Sequence, residues 1–252
     1  MNEDYELLKK RFIELSRKAD SQCYFTFTDF LGLAEQSAFF EVQSKLSGAK
    51  YTAFGGAEGA ERVVIRFGDE DEIGYSAPFP IVTIKAAPVS PKFADKLTHR
   101  DFLGALLNLG IERSTLGDIV IIDNVGYIFA LEDIAQYIVD SLSRVKHTDV
   151  RLSITDTLPE GELYHTEPKK IQANGERLDA VIAKVFSLSR EDAQRLFAKR
   201  LVFASGRLIE STSYIPKENE RISVRGYGRM IYRGYESLSK KGKLNIVVDV
   251  YE

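Results

Sequence analysis

The spacing of hydrophobic positions over the first 70 residues predicts two helices followed by two strands. Residues 4–19 repeat apolar side chains at helical intervals against a side rich in lysine and arginine, and those apolar positions are Leu7, Leu8, Phe12 and Leu15. A second helix is predicted over residues 34–46, ending at Gly48. The segments KYTAFGG (50–56) and ERVVIRFG (61–68) have the composition and alternation of strands.

A cluster of glycines lies between these two predicted strands, at positions 55, 56 and 59. Glycine-rich loops can bind phosphate, but a P-loop ends in Gly-Lys-Ser/Thr and a dinucleotide fingerprint joins a strand to a helix. The cluster has neither feature. We therefore predict a tight turn between two strands rather than a nucleotide site.

The middle of the chain has the pattern strand, helix, strand, strand, helix, strand. The first strand is FPIVTIKAAP (79–88), and the helix after it has Thr98 as its N-cap, Asp101 at N3 and Gly110 at its end. Two strands follow with Asn124 at the turn between them, and then come a helix and a last strand, in the segments DIVIID, GYIFAL, LEDIAQYIVDSLSRV and TDVRLSIT. This order is that of the ferredoxin-like, split βαβ fold, which RNA-recognition motifs share.

Two aromatic residues on one strand leave the use of this sheet open. Tyr127 and Phe129 lie two positions apart and therefore share a face. Either they stack on RNA bases, as aromatics do in RNA-recognition motifs, or they belong to the core. The segment lacks the Gly-Phe-Gly-Phe pattern of a standard RNA-recognition motif.

The last third of the chain begins after a segment without clear periodicity. DTLPEGELYHTEPKK (156–170) contains Pro159, Gly161 and Pro168 and is predicted to be a linker. Two short helices follow, with apolar positions at helical spacing and with Ser189 as the N-cap of the second. A strand–turn–strand segment (201–210) and a further strand (220–226) complete a small unit.

Composition limits the class of protein. The chain has 252 residues and 44% hydrophobic residues, which is typical of a globular protein of two or three domains. No apolar run approaches the roughly 20 residues of a membrane span, and the acidic start is unlike a signal peptide. Cys23 is the single cysteine, so we expect a buried thiol without a disulfide and a cytoplasmic location.

Charge is distributed unevenly along the chain. Residues 1–168 contain 17 Lys and Arg and 27 Asp and Glu, a net charge of −10, whereas residues 169–252 contain 17 and 10, a net charge of +7. A basic segment on an acidic body favours a polyanionic partner for that segment, although a solvated basic surface would give the same count.

The basic segment resembles the S-four RNA-binding domain, which is named after a small-subunit ribosomal protein. The matching residues include Arg177-Leu178-Asp179, Ser189-Arg190 and Gly206-Arg207, while Asn219-Glu220 stands where that family often has Gly-Asp. The resemblance implies that two helices present basic side chains to structured RNA. The RNA-binding residues that it implies are Arg177, Ser189, Arg190, Gln194, Arg195, Lys199, Arg200 and Arg207.

Nearly the whole chain resembles the YlmH family. The segments that carry the resemblance are FTDFL (27–31), FGGAEGAER (54–62) and HRDFLGALLNLGIERSTLGDI (99–119). It implies an α+β protein of three modules: a helical and β N-terminal part (1–75), a ferredoxin-like, RNA-recognition-like βαββαβ domain (76–160) and an S-four-like domain (169–235). The tail (236–252) is expected to form a strand.

The resemblance also implies a function. YlmH-family proteins act on the large ribosomal subunit and on peptidyl-tRNA in ribosome-associated quality control, in which stalled nascent chains receive alanine tails. Ribosomal RNA and tRNA are therefore the expected partners. A cell-division protein is a further candidate partner, since the genes of this family lie near cell-division genes, and a cell-division adaptor is the alternative function.

No enzyme activity, cofactor or metal site is expected. Pseudouridine synthases combine an S-four domain with a catalytic Asp in an Arg-Leu-Asp context, but Asp179 lies inside the S-four helix itself, and no catalytic-size domain follows. The three histidines lack metal-ligand spacing. His99, Arg100 and Arg113 either touch RNA or serve in helix-end packing and ion pairing.

Overall fold

Antiparallel sheets organise the chain, which is described here from a computed structural model over residues 2–159, 163–239 and 242–251. The protein is a mixed helix and sheet (α+β) chain that forms two compact units, Met1–Leu163 and Tyr164–Glu252. None of the helices within those ranges is long and apolar enough to cross a bilayer.

The N-terminal unit contains five helices and eight strands within the described residues. Its helices are α1 (Asn2–Gln22), α2 (Leu33–Val42), α3 (Glu70–Ile73), α4 (His99–Asn108) and α5 (Glu132–Ser141). Its strands are β1 (Thr26–Phe27), β2 (Tyr51–Phe54), β3 (Val64–Phe67), β4 (Ile81–Pro88), β5 (Leu116–Ile122), β6 (Val125–Leu131), β7 (Arg144–Val145) and β8 (Thr148–Thr155).

The first part of this unit packs α1 and α2 against a small sheet of order β1-β3-β2. The apolar side predicted for the helix over residues 4–19 is confirmed at Phe12 and Leu15, which are buried. It is not confirmed at Leu7, which is exposed. The predicted burial of Cys23 is wrong as well. Cys23 follows α1 with a φ of 51°, and this left-handed conformation turns the chain so that Phe25, rather than Cys23, enters the core.

The middle part has the predicted order of elements. Its strands pair antiparallel in the order β5-β6-β4-β8-β7, so the first and third strands of the βαββαβ pattern lie side by side. The N-cap predicted at Thr98 is confirmed, and it forms a capping box, since Thr98 and Asp101 each accept a hydrogen bond from the other's backbone N–H. One face of the sheet packs against α4 and α5 through buried residues such as Ile84 and Ile128.

The other face of this sheet is covered by the first part of the same unit. Phe129 is fully buried there with Phe30 and Val64, and Tyr127 is also buried. The glycine cluster forms the predicted turn between β2 and β3, and a Cβ at Gly56 would lie 2.4 Å from the Phe129 ring. Phe129 therefore belongs to the core rather than to a base-stacking surface.

The C-terminal unit is built on one six-stranded sheet. Its strands are β9 (Thr166–Ala173), β10 (Val202–Ala204), β11 (Arg207–Leu208), β12 (Glu220–Val224), β13 (Gly228–Leu238) and β14 (Leu244–Tyr251), and they pair in the order β11-β10-β12-β13-β14-β9. Helices α6 (Leu178–Val185) and α7 (Arg190–Ala198) pack on this sheet, with Leu178, Val181, Ile182, Leu196 and Phe197 in the shared core.

Part of the predicted linker is a strand. Residues 166–170 belong to β9, which pairs with β14 along its whole length, while Gly161 lies outside the described residues. Pro168 fits because β9 is at the edge of the sheet, where a missing N–H costs no ladder hydrogen bond. Pro168 by itself therefore does not distinguish a linker from an edge strand, because an edge strand tolerates proline.

Candidate RNA-binding site

Helix α7 begins and turns as its sequence predicts. The hydroxyl of Ser189 accepts a hydrogen bond from the Asp192 N–H at 3.0 Å, and it also lies 2.6 Å from the Asp192 carboxylate. Ala193, Leu196 and Phe197 are buried on one side of the helix. Because the cap fixes the start and the buried residues fix the rotation, the remaining positions of α7 are exposed. Ser189 itself is engaged in the cap.

A buried carboxylate in α6 gathers three of the predicted RNA-binding residues. Asp179 is fully buried, and the Nε and Nη2 atoms of Arg177 donate to its two oxygens at 3.2 and 3.1 Å. Gln194 Nε2 donates to the Oδ2 atom of Asp179 at 3.0 Å, and Arg190 Nη2 lies 3.6 Å from that oxygen. These four residues, Arg177, Asp179, Arg190 and Gln194, are called the Asp179 cluster below.

The charge of Asp179 is maintained by its neighbours. Burial by itself raises the pKa of the Asp179 carboxyl, but the hydrogen bonds from Gln194 and Arg177 and the charges of Arg177 and Arg190 lower it by more. The net result is a pKa below that of a free aspartate, so the carboxylate is ionised at neutral pH.

The cluster places two guanidinium groups beside the carboxylate without burying them: Arg177 donates hydrogen bonds to it and Arg190 lies at ion-pair distance. The side chains of Arg177 and Arg190 are 44% and 54% exposed, whereas Asp179 is not exposed at all. Each guanidinium has five N–H donors in a planar fork, so contact with one carboxylate leaves donors for a second acceptor. An oriented pair of such groups suits phosphate oxygens, which accept two parallel hydrogen bonds from arginine.

The other predicted residues are not part of this cluster. Arg195 pairs with two acids of its own helix, Glu191 at 2.5 Å and Asp192 at 3.3 Å. Arg200 pairs with Glu210 at 2.9 Å. Lys199 is exposed at the end of α7 and has no ion pair among the described residues, and Arg207 is exposed on β11.

In the N-terminal unit, Arg113 serves the packing of the fold. Its Nη1 atom donates to the carbonyls of Leu116 and Gly117 at 2.7 and 3.0 Å, and Arg62 donates in turn to the Arg113 carbonyl at 3.1 Å. Burial, followed by the like charge of Arg62, lowers the pKa of Arg113 to about 10. Of the two alternatives for Arg113, helix-end packing therefore describes its contacts. His99 and Arg100 are exposed in the first turn of α4.

One group of residues with chemistry suited to RNA was missed by the sequence analysis. The turn between β12 and β13 reads Arg225-Gly226-Tyr227-Gly228-Arg229, and Tyr227 is exposed at this turn. Alternating arginine, glycine and an aromatic residue is a signal that could have identified it.

Comparisons with known proteins show what this chain is similar to. Residues 79–158 match a family model described as "Putative RNA-binding domain in YlmH". The chain is 27% identical over 245 residues to the Bacillus subtilis (strain 168) "Ribosome-associated protein quality control protein P2", covering 94% of this chain and 91% of that protein. Among solved structures, "Cell division protein ylmH from Streptococcus pneumoniae" is similar with a TM-score of 0.47 and 21% identity, covering 60% of this chain and 91% of that one.

Proposed function

We propose that this chain, which the domain match and the full-length relative identify as a member of the YlmH family, is a non-catalytic RNA-binding factor of ribosome-associated quality control. It would bind RNA of the large ribosomal subunit and peptidyl-tRNA in the cytoplasm. The observation that carries the proposal is the Asp179 cluster, because it orients Arg177 and Arg190 toward solvent in the basic unit of the chain.

The physical reason is the difference between oriented and neutralised arginines. A guanidinium held by a buried carboxylate loses little conformational entropy when a phosphate arrives, since its position is already fixed. Arg195 and Arg200 face exposed carboxylates instead, which compete with any phosphate. RNA contact in this unit is therefore proposed to centre on Arg177, Arg190, Gln194 and Lys199.

The finer division into modules belongs to the same proposal. We assign an S-four-like role to α6, α7 and the strands after them, and an RNA-recognition-like role to residues 79–158. In the second assignment the bases do not stack on Phe129, because that residue is buried under Phe30 and Val64. RNA would contact other parts of this domain.

The absence of catalysis is proposed from the environment of Asp179. Its oxygens are occupied by Arg177 and Gln194, and the residue is fully buried, so it is not placed to attack a uridine base. Mass mapping of RNA from cells with the wild-type protein and with Asp179→Asn should give identical uridine modification. A pseudouridine that disappears with the variant would contradict the proposal.

Two matched double variants of the full chain test RNA binding on the ribosome. The first variant combines Arg190→Gln with Lys199→Gln, and the second combines Arg195→Gln with Arg200→Gln. Each variant removes two positive charges from α7 and its end. We expect the first pair to weaken cosedimentation with large ribosomal subunits about ten-fold or more, because charge-assisted hydrogen bonds contribute about 1.5–3 kcal/mol each. The second pair should change it about two-fold or less.

The outcome separates specific from general attraction. Equal losses in the two double variants would mean that only the sum of charge matters, and the role of the Asp179 cluster would be refuted. The cell-division adaptor stays an alternative prediction. A salt-resistant protein complex that forms without RNA would support it over the ribosomal function.

A further inference from the structure

The turn between β12 and β13 presents one tyrosine at a tightly constrained position. Gly226 and Gly228 have φ angles of +83° and +143°, which L-residues with a side chain rarely adopt. The Tyr227 N–H donates to the Val224 carbonyl at 3.0 Å and closes the turn. A Cβ at position 228 would lie 3.3 Å from the ring of Phe186. The two glycines thus fix the backbone on either side of Tyr227.

The ring of Tyr227 contacts the ring of Phe186, and about half of the residue is exposed. Its centroid lies 6.2 Å from that of Phe186, with the two planes inclined by 57°, and the residue is 48% exposed. Phe186 is the C-cap of α6 and lies three residues before Ser189, the N-cap of α7. The exposed tyrosine is therefore next to the loop that joins the two helices of the candidate site.

Arg225 is fixed in the same turn by an aromatic ring. Its guanidinium carbon lies 5.4 Å from the centroid of the Phe203 ring. Its backbone N–H donates to the carbonyl of Leu201, just after α7, at 2.9 Å. Across residues 163–239 and 242–251 no carboxylate lies within ion-pair distance of this guanidinium. A cation with no acidic partner among those residues is thus held two residues from an exposed aromatic ring.

We propose that Tyr227 stacks on an unpaired base of the RNA that the Asp179 cluster binds, with Arg225 on a neighbouring phosphate. Aromatic side chains stack on bases that are splayed out of loops and bulges, and bases inside a duplex are not accessible to them. The inference rests on the proposed function and adds to it the class of RNA, namely one with an unpaired base beside the phosphates that α6 and α7 contact.

The chain contains a matched control for this tyrosine. Arg233-Gly234-Tyr235 repeats the Arg-Gly-Tyr sequence on β13, and Tyr235 is 56% exposed. Arg233, however, donates to Asp249 at 2.6 Å and to Asn219 at 2.5 Å, and none of the described aromatic rings stacks on Tyr235. The repeat has the same residues without the unpaired cation or the supporting ring.

A tryptophan reporter tests stacking directly, since the chain contains no tryptophan. Full-length Tyr227→Trp and Tyr235→Trp are titrated with a stem–loop RNA that has an unpaired loop and with the same stem as a blunt duplex. We expect the loop RNA to quench the fluorescence of Tyr227→Trp and to leave that of Tyr235→Trp nearly unchanged. The duplex should quench neither, although it binds through its phosphates.

Affinity measurements distinguish stacking from charge. Tyr227→Ala should weaken binding of the stem–loop about ten-fold, and Tyr227→Phe should restore it, because stacking needs the ring and not the hydroxyl. The dependence of affinity on salt should keep its slope in Tyr227→Ala and lose about one unit in Arg225→Gln.

Different results would refute the stacking role of Tyr227 and the proposed RNA-binding function. If the stem–loop binds the wild-type protein and the double variant Arg190→Gln, Lys199→Gln binds it more weakly, the proposed RNA contact stands. Unchanged affinity in Tyr227→Ala together with unquenched Tyr227→Trp would then overturn the stacking role alone. If the wild-type protein binds neither RNA probe nor large ribosomal subunits, the proposed function itself is refuted.

Discussion

The N-terminal unit holds Arg62 and Arg113 against backbone carbonyls, whereas the C-terminal unit holds Arg177 and Arg190 against the carboxylate of Asp179. In the first case the guanidinium groups donate hydrogen bonds to backbone carbonyls and so join segments of the fold. In the second, Arg177 donates two hydrogen bonds to the buried carboxylate and Arg190 lies at ion-pair distance from it, while about half of each arginine side chain stays exposed. The partner of an arginine, rather than its presence, decides whether its guanidinium stays accessible to a further acceptor.

The charge counts of the two units support this distinction. Each unit contains 17 Lys and Arg, but residues 1–163 contain 26 Asp and Glu and residues 164–252 contain 11, which gives net charges of −9 and +6. The units therefore differ in acids and in length, not in the number of cations. A count of basic residues alone would not distinguish the two units.

The largest expected effect concerns the aromatic face of the N-terminal unit. Phe129→Ala should lower the free energy of unfolding by about 3–5 kcal/mol, because it removes a fully buried ring. Phe93→Ala is the control, since Phe93 is 90% exposed and should cost about 0.5 kcal/mol or less. Denaturant unfolding measures both. Loss of RNA affinity at unchanged stability would instead mark Phe129 as a base-contacting residue.

A buried leucine tests the same question in the C-terminal unit. Leu196→Ala should destabilise the unit by about 2–5 kcal/mol, and RNA binding should fall only in proportion to the unfolded fraction. Leu238→Ala changes an exposed leucine of the same unit and should leave the melting temperature nearly unaltered. Thermal melts measure the stability of each variant, and cosedimentation with ribosomes measures its binding. Reduced binding by a fully folded Leu196→Ala protein would speak against a purely structural role.

The comparison of arginines is sharpened by Arg113→Gln. We expect a loss of about 1–3 kcal/mol in stability, because the carbonyls of Leu116 and Gly117 lose a donor, and no change in RNA affinity. This is the opposite of the result expected for Arg190→Gln with Lys199→Gln. Arg100→Gln, at an exposed position of the same unit, serves as the control for both measurements. Weakened RNA binding by folded Arg113→Gln would remove the contrast between the two units.

The smallest effect is a dependence on pH. The folded pKa of Asp179 is depressed, so its contribution to stability is fully present above the unfolded pKa of about 4 and is lost as pH falls through the folded pKa. The difference in unfolding free energy between wild type and Asp179→Asn should be constant from neutral pH to about pH 5 and should shrink in stronger acid. Denaturant unfolding over this range checks it. A difference that grows on acidification would mean that the pKa of Asp179 is raised.

Local sequence determined the helices of the candidate site. The start of α7 was predicted from Ser189 followed by Asp192, and its buried side from the spacing of Ala193, Leu196 and Phe197. Both predictions are confirmed. The βαββαβ order of the middle part was predictable for the same reason, since periodicity and caps are properties of neighbouring residues. The positions of Arg190 and Gln194 on one side of α7 also followed from helical spacing.

Tertiary structure alone decided what those residues contact. Asp179 is 11 residues from Arg190 and 15 from Gln194 along the chain, and only the packing of α6 on α7 makes it their common, fully buried partner. The burial of Phe129 depends on Phe30 and Val64, and the pairing of Pro168 with Asp249 crosses nearly the whole C-terminal unit. Contacts between distant segments leave no periodic signal in sequence, because each segment satisfies its own local preferences whichever partner it meets.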